Sequence, residues 1–345
     1  MIIIFIVLLL CMCWRAKFCF VNAQYMSINQ TAAWKGVFAI VILASHTKHY
    51  ITLGPSFYDT SFVYLLSLIG QLMVAPYFFY SGYGIMHGIM HKPDYLKGFF
   101  KKRIFKVLLH FDVAVLLYII LMSAIGRIYP PHYYLTCWVG WDSVGNSNWF
   151  IFVILVAYLI AYISMTVLKQ TIVTKPLLIV AVVTILTASF GIILKLIGRE
   201  SYWFNTVLAF PFGMAFYWFK TKIIDLLPPP KQHRTYLGLI FGSLCVFACW
   251  YCFKGIDDYG ISACLFCLVL TMMSLVVRMS NPILSWLGQQ AFAIYIMQRF
   301  AMNLFKHWNL NAHPYLFAAL SIVAALIVAS LFTKLLNVLD RRLSM

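Results

Sequence analysis

Apolar runs of about 20 residues, the length that crosses a bilayer as a helix, recur along this chain. They fall near 34–53, 62–90, 107–126, 149–168, 176–197, 203–219, 235–253, 260–277, 284–305 and 315–337. A chain inside lipid must satisfy its own backbone hydrogen bonds, so each span is a helix or part of a closed barrel. The ten-residue alternating segments of a membrane barrel are absent from the sequence. The expected fold class is therefore an all-α integral membrane protein, a bundle of about ten transmembrane helices. Composition agrees: 63% of residues are hydrophobic and 10% charged, against about 25% charged in soluble domains.

The formal net charge of +17 would suggest nucleic acid in a soluble protein. Here the cations sit between apolar runs, so topology explains them first, and no nucleic-acid partner is expected. One set of loops carries Lys92, Lys97, Lys101, Lys102, Arg103, Lys106, Lys169, Lys175, Lys220, Lys222, Lys231, Arg234, Arg278, Lys334, Arg341 and Arg342. The alternate set holds little beyond Arg127, Lys195, Arg199, Lys254 and Lys306. Positive charge stays inside, which places the first set and both ends of the bundle in the cytoplasm, in a multi-pass protein of the inner (cytoplasmic) membrane. The stretch 225–234 reads as an inner linker, and 127–148 as a structured outer loop. Residues 26–345 form one membrane domain. The segment 1–25, with its apolar "MIIIFIVLLLCMCW", is a short extra helix or the product of a mis-set start.

Nine cysteines suggest neither disulfides nor metal. Cys245, Cys249 and Cys252 share a helix face, but no neighbouring His or acid completes a ligand set, so they read as small core residues. Nine Asp plus Glu in the whole chain also argue against a metal site.

The first long run, "WKGVFAIVILASH", opens near Lys35 and closes on His46. Eleven residues at 100° each come to about 20° past three turns, so the two side chains share one stripe about 16 Å apart. Ionisable residues in a span are expensive and mark function by default. The plainer alternative is a snorkelling lysine and a histidine bonded to a neighbouring helix. His110 and Asp112 are two residues apart and do not face each other on a helix. Asp112 and Arg299 are orphan charges.

Four other stretches stand in order behind this one: "PYFFYSGYGI" (76–85), "YLKGFFKKRIFKVLL" (95–109), "NWFIFVILVAYL" (148–159) and "NPILSWLGQQAFAIYIMQ" (281–298). Together with a basic residue followed after ten residues by histidine, they resemble the acyltransferase-3 family of membrane acyltransferases, in register over about 26–336. Three positions depart from the family pattern: Lys35 stands for Arg, Ala291 for Ser or Thr, and Gln298 for His.

The resemblance implies transfer of an acyl group, usually acetyl, from cytoplasmic acyl-CoA to a hydroxyl of a carbohydrate acceptor at or beyond the outer face. Acetyl-CoA would be the co-substrate and no metal is needed. Lys101, Lys102, Arg103 and Lys106 would seat the CoA phosphates, Arg103 and Lys106 facing one way at i and i+3. The pantetheine arm would run along the Lys35–His46 stripe. His46 would deprotonate the acceptor as general base, or carry the acyl group itself. Ser81 and Tyr83 would line the thioester channel, with Gly82 and Gly84 permitting close backbone approach, although helix packing explains such glycines equally well. Tyr83 and Tyr295 would donate to the thioester carbonyl. Trp149, Asp142 and Glu200 would meet the sugar, an aromatic belt at the interface being the plainer reading of the tryptophans. The class that competes is a multi-span transporter or flippase of lipid-linked sugar, which would favour two related halves. A surface-polysaccharide polymerase or ligase would favour a large Arg-rich outer loop. Neither feature is evident in the sequence.

Overall fold

A computed structural model describes residues 1–169, 174–222, 229–254 and 259–343, with the backbone alone at 221–222, 229–233 and 252–254. The helices in chain order are α1 (Ile2–Met12), α2 (Ile28–Thr47), α3 (Phe57–Ile69), α4 (Ala75–His91), α5 (Lys106–Ala124), α6 (Pro131–Thr136), α7 (Trp149–Val167), α8 (Pro176–Leu196), α9 (Ala209–Lys222), α10 (Pro229–Lys254), α11 (Tyr259–Ser274), α12 (Pro282–Gln289), α13 (Ala291–His307) and α14 (Pro314–Arg342). Two three-residue strands, β1 (Ala16–Phe18) and β2 (Val277–Met279), pair antiparallel.

Every one of the ten apolar runs carries helix. Among the described residues, six helices are both long and apolar enough to cross a bilayer: α2, α5 with the turn before it, α7, α8, α10 and α14. The pair α3–α4, bent by 46° at a short break, would make a seventh. The remaining runs yield shorter helices, because α12 and α13 break at Gln290 and α9 and α11 have only 14 and 16 residues. Against the expected ten, six described helices, or up to seven spans, meet the length and apolarity a crossing needs. Leu116, Ile120, Ile185, Leu331 and Leu335 are exposed on the long helices, which suits contact with lipid tails.

Residues 1–25 form α1 and β1. At 11 residues α1 reaches only about 16 Å, half the hydrocarbon thickness, and it packs on α3 through Phe5 against Phe62. The linker read at 225–234 lies outside the described residues up to 228 and is already α10 from Pro229. Lys222, Lys231 and Cys252 have no described side chains.

Local chemistry fixes the start of α2. The Ser27 hydroxyl accepts from the Gln30 amide, capping the helix as side-chain oxygens at this position do. The Gln30 side chain then donates to the Val277 carbonyl (3.1 Å) and accepts from the Met279 amide (3.2 Å). Helix α12 lies directly on α2. A methyl added at Gly36 would fall 2.2 Å from the Leu284 oxygen, and one at Gly288 would fall 1.7 Å from the Ala32 oxygen. Only glycine permits that backbone approach.

Candidate active site

A cavity of about 220 Å³ opens beside α2 and is bounded also by α4, α5, α7, α12 and α13. Lys35, Ala39 and Ile42 line it. These are positions i, i+4 and i+7 of one helical stripe, and His46 is the next residue along that stripe. The line drawn from residue spacing is therefore a wall of this cavity.

At one end, the Lys35 ammonium sits 5.5 Å from the centre of the Tyr80 ring, within reach of a cation–π contact. The Tyr77 hydroxyl donates to the Lys35 carbonyl at 2.8 Å. Arg103 is near enough to repel Lys35, and it lies in the electrostatic field of Tyr95 and Tyr158. Tyr158 lines the cavity and donates to the Ser81 hydroxyl at 3.2 Å. A basic pocket is bounded by Lys92, Lys102 and Arg103, and Arg103 is near Tyr158 and Lys35 of the cavity wall.

Arg103 and Lys106 do not face one way. Residues Phe100–Phe105 form a π-helical turn, whose wider winding changes the angle between i and i+3. Arg103 reaches the tyrosines, whereas Lys106 pairs with Asp340 of α14 at 2.7 Å. Asp340 also accepts from His110 at 2.8 Å. That pair braces α5 against α14. Lys101 and Lys102 are exposed, and only Lys102 borders the basic pocket.

At the other end, Arg299 of α13 donates to His46 Nδ1 from both Nε (3.3 Å) and Nη2 (3.1 Å). A guanidinium can only donate, so Nδ1 carries the lone pair and the proton of the neutral ring lies on Nε2, an assignment made from the bonding pattern. The Tyr295 ring stands edge-on to His46 at 6.4 Å and lines the cavity. Its hydroxyl accepts from the Phe150 amide at 3.4 Å, which leaves its own proton available. Gln298, fully buried on the same wall, donates to the Tyr295 carbonyl (3.0 Å) and to Ser147 (3.4 Å). Its carbonyl oxygen has no partner among the described residues. A buried orphan acceptor costs about 1–3 kcal/mol, and a ligand N–H in the cavity would satisfy it.

Several expected site residues lie elsewhere. The Tyr83 ring packs against His87, Phe216 and Tyr217 on the α9 side, because α4 turns that face to α9. Gly82 serves the same packing, since a methyl there would fall 1.9 Å from the Phe210 oxygen. Gly84 meets nothing within 4 Å. Asp142 is used by the fold: it accepts from the Thr136 hydroxyl at 2.5 Å and pairs with Arg199 at 3.9 Å, and Arg199 is stacked 3.7 Å over Trp141. Trp149 packs on Phe150 and Tyr202, beside the cavity wall rather than on it. Glu200 is exposed and bonds Tyr202. Asp112 meets neither His110 nor Arg299, and its Oδ1 has no partner among the described residues.

Residue spacing missed the Arg299–His46 contact. Tyr295 and Arg299 are four apart, so the sequence placed both on one face of α13, but not the helix that this face meets.

A multi-helix membrane protein with a largely apolar internal cavity, flanked by a basic pocket at one end and a histidine at the other, is the class these observations define. The acyltransferase-3 family model, an acyltransferase domain, matches residues 32–334, nearly the whole chain. The chain belongs to that family. No curated protein matches it, and no solved structure does.

Proposed function

We propose that this membrane acyltransferase moves an acyl group, acetyl by preference, from acyl-CoA to a hydroxyl of a cell-surface or exported polysaccharide or its precursor, in the cell membrane with its basic pocket toward the cytoplasm. The observation that carries the reading is the cavity along Lys35, Ala39 and Ile42, set between Arg103 and His46. The stripe from Lys35 to His46 is about 16 Å long, comparable to an extended pantetheine arm with its thioester. Lys102 and Arg103 are placed to hold phosphates, as charge-assisted donors do. The orphan Gln298 oxygen offers an acceptor for an amide N–H of the arm.

His46 acts as general base in this reading, through Nδ1, the nitrogen with the lone pair. The proton of the acceptor hydroxyl passes to Nδ1 and the oxygen attacks the thioester carbonyl carbon. The C–S bond then breaks, and the imidazolium returns the proton to the CoA thiolate. Tyr295, with its hydroxyl proton free, stands near enough to steady the developing oxyanion.

The test is acyl transfer by membranes supplied with labelled acetyl-CoA. Wild type is expected to bind and consume the donor. A wild type that neither binds nor cleaves acyl-CoA would move the assignment to a transporter of lipid-linked sugar.

A further inference from the structure

The base nitrogen of His46 is capped in this structure. Arg299 gives it two N–H donors, at 3.1 and 3.3 Å, and while it does so Nδ1 cannot take a proton from a hydroxyl. Something must draw the guanidinium away.

The surroundings of Arg299 indicate what. Lys48 and His49 lie two and three residues beyond His46, and burial together with Lys48 and Arg299 holds the His49 imidazole below its ordinary range. The Tyr50 ring carries the Lys306 ammonium at 5.9 Å, and it lies in the field of both Arg299 and Arg127. Arg127 also acts on the Tyr129 hydroxyl through its field. Four full cations thus converge on the His46 end of α2. None of them forms an ion pair among the described residues, where Asp59, Asp94, Asp142 and Asp340 pair with other cations and Asp112 with none. This is also the end away from the basic loops, where membrane proteins ordinarily keep few cations. An unneutralised cluster there repels itself unless an anion joins it.

We propose that the acceptor is anionic, a glycan bearing a carboxylate or phosphate beside the reacting hydroxyl, and that this anion claims Arg299 and so uncaps the His46 base. The inference rests on His46 being the base. A carboxylate or phosphate binds a guanidinium through two charge-assisted bonds, about twice as strong as a bond to a neutral acceptor such as an imidazole nitrogen. The exchange therefore runs toward the anion. It also couples binding to chemistry: a neutral acceptor leaves Nδ1 occupied, and water alone does too, which protects the thioester from hydrolysis.

The test uses the purified full chain in neutral-lipid nanodiscs, with cellobiose, cellobiouronic acid and inorganic phosphate as probes. Cellobiouronic acid is expected to bind roughly tenfold more tightly than cellobiose, with an affinity that falls as salt rises and with competition by phosphate. Arg299→Met should bring the two sugars to parity and raise acetyl-CoA hydrolysis several-fold, because the base is no longer capped. Should that variant not fold, Arg127→Gln with Lys306→Gln, both at exposed positions, should weaken the acidic sugar alone by severalfold. Equal binding of the two sugars by wild type overturns the proposal, as does an acid preference that survives these substitutions. Failure of both sugars to bind, with the cluster occupied only when anionic lipid is added in a second nanodisc preparation, overturns it as well. Acetyl-CoA binding, measured in the same preparation, reports separately on the assigned function.

Discussion

The two ends of the α2 stripe are both cationic, but the fold manages the charge differently. At the Lys35 end the cations have acidic or aromatic company. Lys106 meets Asp340, Lys97 meets Asp94, Arg103 lies in the field of two tyrosines and Lys35 faces the Tyr80 ring. At the His46 end, among the described residues, Arg299 donates to a neutral imidazole nitrogen and Lys306 sits over a ring, and neither forms an ion pair. The first arrangement holds a permanent opening for a phosphate-bearing donor. The second leaves positive charge unspent where the acceptor arrives. One helix thus presents a settled site for one substrate and an unsettled one for the other.

Removing His46 should break this contrast most severely. His46→Ala is expected to lower acyl transfer by about 100-fold or more, the usual contribution of a general base, with acetyl-CoA binding retained. Full transfer by that variant, measured with labelled donor in membranes, would take His46 out of the chemistry. Lys35 comes next. Lys35→Ala should cost about tenfold in transfer, on the scale of one charge-assisted contact, and Lys35→Arg should stay near wild type. Equal activity in all three proteins would remove Lys35 from the site. The donor end is sharpened by comparing two neighbours. Arg103→Ala should raise the KM for acetyl-CoA about tenfold with a smaller change in kcat. Lys106→Ala should leave that KM near wild type and lower stability by roughly 1 kcal/mol, as for a partly exposed ion pair. Reversal of that order in donor titrations and thermal unfolding would return Lys106 to the phosphate seat.

Much of this was legible in the sequence. Helical arithmetic found the stripe, because an unbroken α2 keeps 3.6 residues per turn from Ser27 to His46 and the cavity follows it. Apolar runs located the helices. The same arithmetic failed at Arg103 and Lys106, where a π-helical turn changes the spacing, and no local pattern in "FKKRIF" announces one. Span number was less legible, because an apolar run can hold a broken helix, as at Gln290. For Tyr83 and Gly82 the sequence left packing and function open for a common reason: a small or aromatic residue in a span can serve either, and only the neighbour decides. Asp142 looked free for sugar because its partners, Thr136 and Arg199, lie on a short helix and a distant loop. Arg299 was visible as a lone charge, but its partner is 253 residues away and nothing local points to it.

The central claim is that an acyl donor lies along α2 with its thioester at His46. A structure of the full chain with a non-hydrolysable thioether analogue of acetyl-CoA tests it most directly. The phosphates are expected beside Lys102 and Arg103, the arm against Ala39 and Ile42, and the acyl carbonyl within reach of a hydroxyl held about 3 Å from His46 Nδ1. An analogue bound away from the α2 cavity, or one whose thioether stays at the Lys35 end, would contradict the account.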